Sequence, residues 1–238
     1  MEELMFELLT DGPDNRTFLP GALGPDIDAI LALRGDDTVT GSSDDEVIYG
    51  GRDNDQLFGE GGNDVLLGNR GQDVVAGGDG NDTLFGGRET DLLVGGAGDD
   101  VLFGDKGIDG PIGNEGADTY VLLVDNNATD GGDLLLDFNP AEGDRLALVG
   151  DDLRPEDIIL VEVPTEQTSR NDFFPLFPPG LSLEEALSLT QLSQDLFNVA
   201  PEGVTNFELQ TPSGQAIARI FLTTEADIRS SFVDLPEL

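Results

Sequence analysis

The pattern of apolar and polar positions between residues 32 and 121 repeats every nine residues, without insertion or deletion. Ten such nonads follow one another, each with an acidic residue at position 6. Position 8 is apolar in every nonad except the ninth, where it is Pro111. A fixed period over so long a stretch indicates one small structural unit that is stacked many times, each copy contacting its neighbours.

Each nonad predicts a turn followed by a short strand. Glycine recurs at positions 1, 2 and 4, where it permits positive φ and lets carbonyl groups turn inward. Positions 7 to 9 are then a short β segment with one inward apolar side chain. The repeat therefore predicts an all-β solenoid over residues 32–121.

The acidic residue follows the glycine turn at one fixed phase, so stacking brings carboxylates and backbone oxygens together. Such an all-oxygen set suits Ca²⁺, whereas carboxylates stacked about 5 Å apart without a cation would repel. The alternative is a metal-free solenoid with solvated acidic turns. The candidate side-chain ligands are Asp37, Glu46, Asp55, Asp64, Asp73, Asp82, Asp91, Asp100, Asp109 and Asp118. The candidate carbonyl ligands, at positions 2 and 4, are those of Gly51, Asp53, Gly62, Gly71, Gly78, Gly80, Gly96 and Gly98.

The nonads GGRDNDQLF, GEGGNDVLL, GGDGNDTLF and GGAGDDVLF resemble the G-G-x-G-x-D-x-U-x motif of the repeats-in-toxin (RTX) family. The resemblance implies a Ca²⁺-loaded parallel β-roll with two nonads per coil and ions between nonads n and n+2. It therefore implies two ladders of ligands, with four gaps in each and at most eight ions. We expect fewer, because several nonads depart from the motif: Glu46 replaces Asp, Ala32-Leu33 and Glu89-Thr90 replace turn residues, and Gly110-Pro111 interrupts a strand.

Basic residues within the repeat occur only at position 3 of the odd nonads, which independently supports an eighteen-residue coil. An apolar residue lies three positions before most of them: Tyr49, Leu67, Phe85 or Phe103. One interpretation is a strip that binds an acidic polysaccharide or another anionic surface. The other is duplication of an eighteen-residue unit whose cations offset nearby carboxylates. The five basic residues are Arg34, Arg52, Arg70, Arg88 and Lys106.

The flanks of the repeat predict capping structures. Residues 1–31 predict an N-terminal cap, since a solenoid end exposes strand edges and core. Residues 122–238 predict a β-rich domain, with strands near 134–138, 145–149, 158–163, 206–210 and 216–222. A loop and helix inserted at 164–206, with the helix near 183–197, is expected to pack on this domain, or else to dock a partner. The segment after the repeat also resembles the flank that closes the roll in secreted RTX proteins.

Composition narrows the functional classes. The 238 residues carry 49 acidic and 11 basic side chains, a formal charge of −38, which disfavours nucleic acid and anionic membranes as partners. No apolar run is long enough to insert into a membrane. The chain has no cysteine and no histidine, which excludes disulfides, zinc-protease motifs and Ser-His-Asp triads. We expect no enzyme.

These observations predict a secreted Ca²⁺-binding protein that folds on binding Ca²⁺ outside the cell. The start of the chain lacks the features of a secretory signal peptide. The resemblance implies export by bacterial type I secretion through a signal near the C-terminus, although those residues are also compatible with a plain closing strand and tail. The alternative function is a Ca²⁺-dependent adhesive or structural protein that binds acidic glycans or its own copies.

Overall fold

The computed structural model describes residues 6–22, 29–124, 132–150, 154–163, 205–223 and 225–233. The helix predicted near residues 183–197 and nearly all of the inserted stretch that contains it lie outside the described residues, as do the last five residues of the chain.

Short parallel strands wind through the repeat and alternate between two sheets. The nine-residue period places one strand after each glycine turn, as the sequence predicts. Three strands precede the repeat: β1 Phe6–Leu8, β2 Asn15–Thr17 and β3 Ala29–Leu31. The strands that begin within the repeat are β4 Thr38–Thr40, β5 Val47–Tyr49, β6 Gln56–Gly61, β7 Val65–Leu67, β8 Val74–Asp79, β9 Thr83–Arg88, β10 Leu92–Ala97, β11 Val101–Lys106, β12 Gly110–Glu115 and β13 Thr119–Val124.

The register confirms a coil of two nonads. Val47 pairs with Val65 in one sheet, and Gln56 pairs with Val74 in the other, so each strand lies beside the strand eighteen residues away. Odd nonads supply β4, β6, β8, β10 and β12, and even nonads supply β5, β7, β9, β11 and β13. The parallel β-roll expected from the sequence is therefore confirmed.

Position 8 of the nonads points into the roll and forms its core. Because one side chain per strand faces inward from each sheet, the core is a single column in which the two sheets meet. These side chains are fully buried: Val39, Ile48, Leu57, Leu66, Val75, Leu84, Leu93 and Leu102. Pro111 holds the same position in β12, the outermost strand of its sheet, where a residue without an N–H is tolerated.

The two sheets extend beyond the repeat at both ends. On the N-terminal side, β1 pairs with β3, β2 pairs with β4, and Ile30 and Ala32 join the roll core. On the C-terminal side, β15 (Arg145–Gly150) pairs in parallel with β13. The larger sheet ends with β19 (Phe232–Val233) beside β15, giving nine strands against six in the other.

A third sheet forms most of the rest of the described C-terminal region. It contains β14 (Asp133–Leu135), β16 (Ile159–Val163), β17 (Thr205–Gln210) and β18 (Ala216–Thr223), in the order β14-β18-β17-β16. A 3₁₀ turn at Pro155–Asp157 precedes β16, and α1 (Glu225–Ser230) precedes β19. Tyr120 and Leu122 of the roll share a buried cluster with side chains of this region, including Phe138, Phe207 and Ile228.

The described residues contain mostly strands, as the sequence predicts for the flank. The α-helix among them, Glu225–Ser230, is not the predicted one and lies where a closing strand and tail or a secretion signal was expected from the sequence. No helix in these described ranges is long and apolar enough to cross a membrane.

Candidate metal centre

The acidic residues at position 6 form two buried columns along the roll, one for each set of turns. Each aspartate lies directly before a strand, so its side chain lies at the boundary between the glycine turn and the apolar core. All nine aspartates of the set are at most 1% exposed, and Glu46 is 4% exposed. A solvated acidic turn, the alternative considered from the sequence, does not match this burial.

One carboxylate oxygen of each aspartate joins consecutive coils. Oδ1 accepts the backbone N–H of the ladder residue one coil earlier: Asp37 donates to Asp55 at 2.9 Å, and Asp64 donates to Asp82 at 2.8 Å. The same bond recurs through Asp73, Asp91, Asp100, Asp109 and Asp118. The carboxylates therefore stabilise the stacking of coils through charge-assisted hydrogen bonds.

The second oxygen of each aspartate is buried without a hydrogen-bond partner among the described residues. Such an atom is costly in a folded protein, because a desolvated carboxylate oxygen normally accepts a hydrogen bond or coordinates a metal. A repeated orphan oxygen is the donor that a hard cation requires. The set comprises Oδ2 of Asp37, Asp55, Asp64, Asp73, Asp82, Asp91, Asp100, Asp109 and Asp118.

A backbone carbonyl faces the same space as the orphan oxygen of four ladder aspartates, namely Asp64, Asp73, Asp91 and Asp100. A Cβ added at Gly86 would lie 2.6 Å from Asp91 Oδ2 and 3.0 Å from the carbonyl oxygen of Gly104 in the next coil. Both oxygens thus border the position-1 glycine, whose missing side chain leaves the space open. These position-1 carbonyls were not among the candidate ligands predicted from the sequence.

The expected carbonyls at positions 2 and 4 mostly lie against glycine α-carbons one coil further on. The carbonyl oxygens of Asp53, Gly62, Gly78, Gly80 and Gly98 each occupy the space that a Cβ would need there, and the Gly51 carbonyl accepts the N–H of Arg70 at 3.3 Å. No described contact brings the carbonyls of Gly71 and Gly96 to an orphan oxygen. Three of the contacted glycines, Gly71, Gly80 and Gly98, have φ between 132° and 137°, which residues with a side chain rarely adopt.

Burial and neighbouring carboxylates raise the pKa of the ladder aspartates. Burial is the larger cause and raises the pKa of Asp55, Asp91 and Asp100 to about 8 in each case, with nearby carboxylates adding to it. Hydrogen bonds from backbone N–H groups oppose this rise. A bound dication would reverse the balance by favouring the charged form.

Glu46 departs from the pattern set by the aspartates. Its longer side chain reaches Ser42: Oε2 accepts the Ser42 N–H at 3.0 Å, and Oε1 accepts the Ser42 hydroxyl. Both oxygens therefore have partners within the chain. Its backbone N–H still donates to Asp64 Oδ1 at 2.7 Å, so Glu46 begins the second ladder without repeating its orphan oxygen.

Two aspartates after the repeat extend the ladders, although neither was predicted from the sequence. Asp133 Oδ1 accepts the Asp109 N–H at 3.2 Å, and Asp144 Oδ1 accepts the Asp118 N–H at 3.1 Å. A Cβ at Gly104 would lie 2.8 Å from Asp109 Oδ2 and 3.1 Å from Asp133 Oδ2. Their sequence signal is the Asp-x-apolar pattern of positions 6 to 8, seen in Asp133-Leu-Leu and Asp144-Arg-Leu.

The basic residues at position 3 are all exposed and form a row across consecutive coils, where strands of the nine-stranded sheet end. Arg88 pairs with Lys106 across β9 and β11, as the eighteen-residue coil requires. Arg52, Arg70 and Arg88 line one groove, whereas Arg34 and Lys106 do not.

Among the described residues, no three acidic side chains converge into a group that could hold an ion by themselves. The ladders place one carboxylate on each coil, so an ion there would draw its other ligands from backbone carbonyls. The residues present fit Ca²⁺ in the character of their donors, since every one is an oxygen and the orphan carboxylate oxygens are buried.

Comparison with known families also identifies the repeat as a calcium-binding one. Four overlapping segments, at residues 24–57, 40–75, 58–93 and 76–110, match the RTX calcium-binding nonapeptide repeat. The resemblance read from the nonads is thereby confirmed over residues 24–110. No curated protein matches the chain.

Proposed function

We propose that this chain, whose residues 24–110 are RTX calcium-binding nonapeptide repeats, is a secreted protein that folds on binding Ca²⁺ outside the cell. The observation that supports this most is the series of buried carboxylate oxygens without partners. A chain that must bury one such oxygen in nine of its ten nonads is poorly stabilised without a cation, so cation binding and folding are coupled.

The residues that would hold the ions are the Oδ2 atoms of the ladder aspartates and the carbonyls of the position-1 glycines. Ca²⁺ would supply the positive charge that these oxygens lack. Because Asp133 and Asp144 extend the ladders, each ladder has five gaps rather than four. Glu46 already has both oxygens paired, so its gap is the weakest candidate.

The concentration difference across a cell envelope makes this coupling useful. Extracellular calcium modules bind at about 10⁻⁴ to 10⁻³ M, far above cytosolic free calcium. The repeat would then stay open and exportable inside the cell and close outside it. Export by type I secretion remains part of this proposal.

Limited proteolysis at two calcium concentrations tests the proposed coupling. At submicromolar free Ca²⁺ we expect rapid cleavage within residues 32–121, and at millimolar Ca²⁺ we expect a protected fragment that spans the roll. Mg²⁺ at the same concentration is the control, because its preference for strict octahedral geometry suits these ladders poorly. Equal cleavage in all three conditions would contradict the proposal.

A matched pair of variants links the effect to the ladder. Asp82→Asn keeps an acceptor for the Asp64 N–H but replaces the orphan oxygen by an uncharged amide. We expect weaker Ca²⁺ binding by equilibrium dialysis, together with greater stability in chelator, since the buried charge is gone. Asp79→Asn changes the same charge at an exposed side chain three residues away and should alter neither quantity. If the two variants behaved identically, the ladder aspartates would not be the calcium ligands.

A further inference from the structure

A groove lined by three arginines runs across the coils where strands of the nine-stranded sheet end. Its volume is about 450 Å³, and its lining includes Arg52, Arg70 and Arg88 from consecutive coils. Leu31 and Tyr49 form an apolar wall beside them, and both side chains are half-buried. The groove thus combines a line of cations with an apolar strip, and both run along the axis of the roll.

Backbone hydrogen bonds hold the three arginines in register. The N–H of Arg52 donates to the Leu33 carbonyl at 3.1 Å, and that of Arg88 donates to the Asn69 carbonyl at 3.0 Å. Arg70 makes the equivalent bond to Gly51. Successive arginines are therefore one coil apart, a rise of about 4.8 Å.

These arginines do not neutralise the chain's own carboxylates. Among the described residues, the ion pairs join Arg16 to Glu7, Arg154 to Glu156 and Arg219 to Glu208. Arg52, Arg70 and Arg88 are exposed and form no ion pair within the described ranges, although the chain carries 49 acidic residues. For these three arginines, the interpretation that the cations merely offset nearby carboxylates therefore lacks direct ion pairs within the described ranges.

The spacing of the three arginines and the shape of the groove indicate which class of ligand fits. One cation per coil matches a linear polymer with one carboxylate per repeating unit, and the coil rise is close to that of one pyranose in an extended chain. Arginine binds planar carboxylates with two parallel hydrogen bonds, and the apolar wall offers a surface for sugar ring faces. A net charge of −38 opposes binding to a broad anionic membrane or to nucleic acid, whereas a single line of cations can act locally.

We propose that this groove binds a linear acidic polysaccharide through its uronic-acid carboxylates. The site rests on the proposed function, because residues from Leu31 to Arg88 come together only when the coils are stacked. Ligand binding therefore requires the calcium-loaded fold. Tyr49 and the arginines then determine both the orientation and the charge preference of the bound sugar chain.

The test is calorimetric titration of the full chain in saturating Ca²⁺ with an oligomannuronate of about five sugars, long enough to span three arginines at one sugar per coil. Circular dichroism on each sample first establishes the folded roll. We expect binding by the wild type, at least about tenfold weaker binding by Arg52→Gln/Arg70→Gln, and none with neutral oligomannose.

Arg145→Gln/Arg154→Gln is the matched control, because it removes the same charge from exposed positions outside the groove. Its affinity should stay within about twofold of the wild type. Equal affinities of the two double variants, or no binding by a folded wild type, would overturn the assignment of the groove as a polysaccharide site. Neither result would contradict the proposed function. Tighter arginine-dependent binding of single-stranded DNA or anionic vesicles would overturn the choice of polysaccharide. A wild type without a calcium-induced β signal would instead contradict the proposed function.

Discussion

At the scale of single residues, the position-1 glycine and the position-6 aspartate act as a pair. Glycine is usually needed where φ is positive, and Gly51 and Gly62 fit that reason. Gly86 does not have a positive φ, yet a Cβ there would meet Asp91 Oδ2 and the Gly104 carbonyl. The glycine at position 1 is therefore required for space. At Gly86 that space is bordered by the orphan oxygen of Asp91 and the Gly104 carbonyl oxygen.

Gly86→Ala tests this pairing against Gly61→Ala. The added methyl at position 86 would lie 2.6 Å from Asp91 Oδ2, whereas at position 61 the nearest atom is 3.5 Å away. We expect Gly86→Ala to cost about 1–3 kcal/mol of stability and to raise the calcium concentration needed for folding. Gly61→Ala should leave both quantities nearly unchanged. Calcium titrations of the two variants check this, and equal midpoints would contradict the paired role.

Sequence reasoning identified the ladder aspartates because their phase never varies. It singled out Glu46 as a departure from the motif, but it did not predict the pairing of Glu46 with Ser42, which depends on side-chain reach rather than on phase. It also missed Asp133 and Asp144, because the coils that carry them are longer than eighteen residues: they follow their ladder neighbours by 24 and 26 residues. A fixed-period search cannot find a ligand that a longer loop delivers to the same place.

At the scale of the element, each coil is linked to the next by buried carboxylates. These groups bind protons more tightly in the fold than in the open chain, because burial raises the pKa of Asp64 and Asp73 from 3.8 to about 7 and that of Asp91 to about 8. The folded state without metal therefore holds more protons than the open chain between pH 4 and pH 8. Over this range, stability must fall as pH rises.

Urea or thermal unfolding of calcium-free protein checks the direction of this dependence. In chelator we expect the roll to be most stable near pH 4 and to lose stability steadily toward pH 8. Saturating Ca²⁺ should remove or reverse the loss, since the ion competes with protons for the same oxygens. Asp91→Asn should flatten the calcium-free profile. Stability that rises from pH 5 to pH 8 in chelator would contradict the buried ladder.

The elements themselves were predictable where the period holds. The position of basic residues in alternate nonads, together with the family resemblance, predicts the two-nonad coil that the register confirms. The N-terminal strands were not predicted individually, since β1 and β2 lie outside the nine-residue pattern and pair with β3 and β4 through their backbones. Backbone pairing of this kind leaves little trace in the side-chain pattern.

At the scale of the whole molecule, the roll and the C-terminal region share one buried junction. Tyr120 holds position 8 of the last nonad, yet its hydroxyl donates to Asp137 at 2.7 Å and accepts the Gly113 N–H at 3.0 Å. Asp137 also accepts the Asn114 N–H at 2.8 Å. With Asp133 and Asp144 in the ladders, this network makes the flank a continuation of the roll. Under the proposed function, we therefore expect calcium binding to be coupled to closure of the C-terminal end.

The most direct test of calcium-coupled folding is a calcium titration of fully chelated protein followed by far-UV circular dichroism. The buried orphan oxygens predict a cooperative gain of β signal near millimolar Ca²⁺, with no such gain in Mg²⁺. A chelated protein that is already β-rich and indifferent to added Ca²⁺ would contradict it. The ladders would then be a preformed scaffold whose buried carboxylates stay protonated.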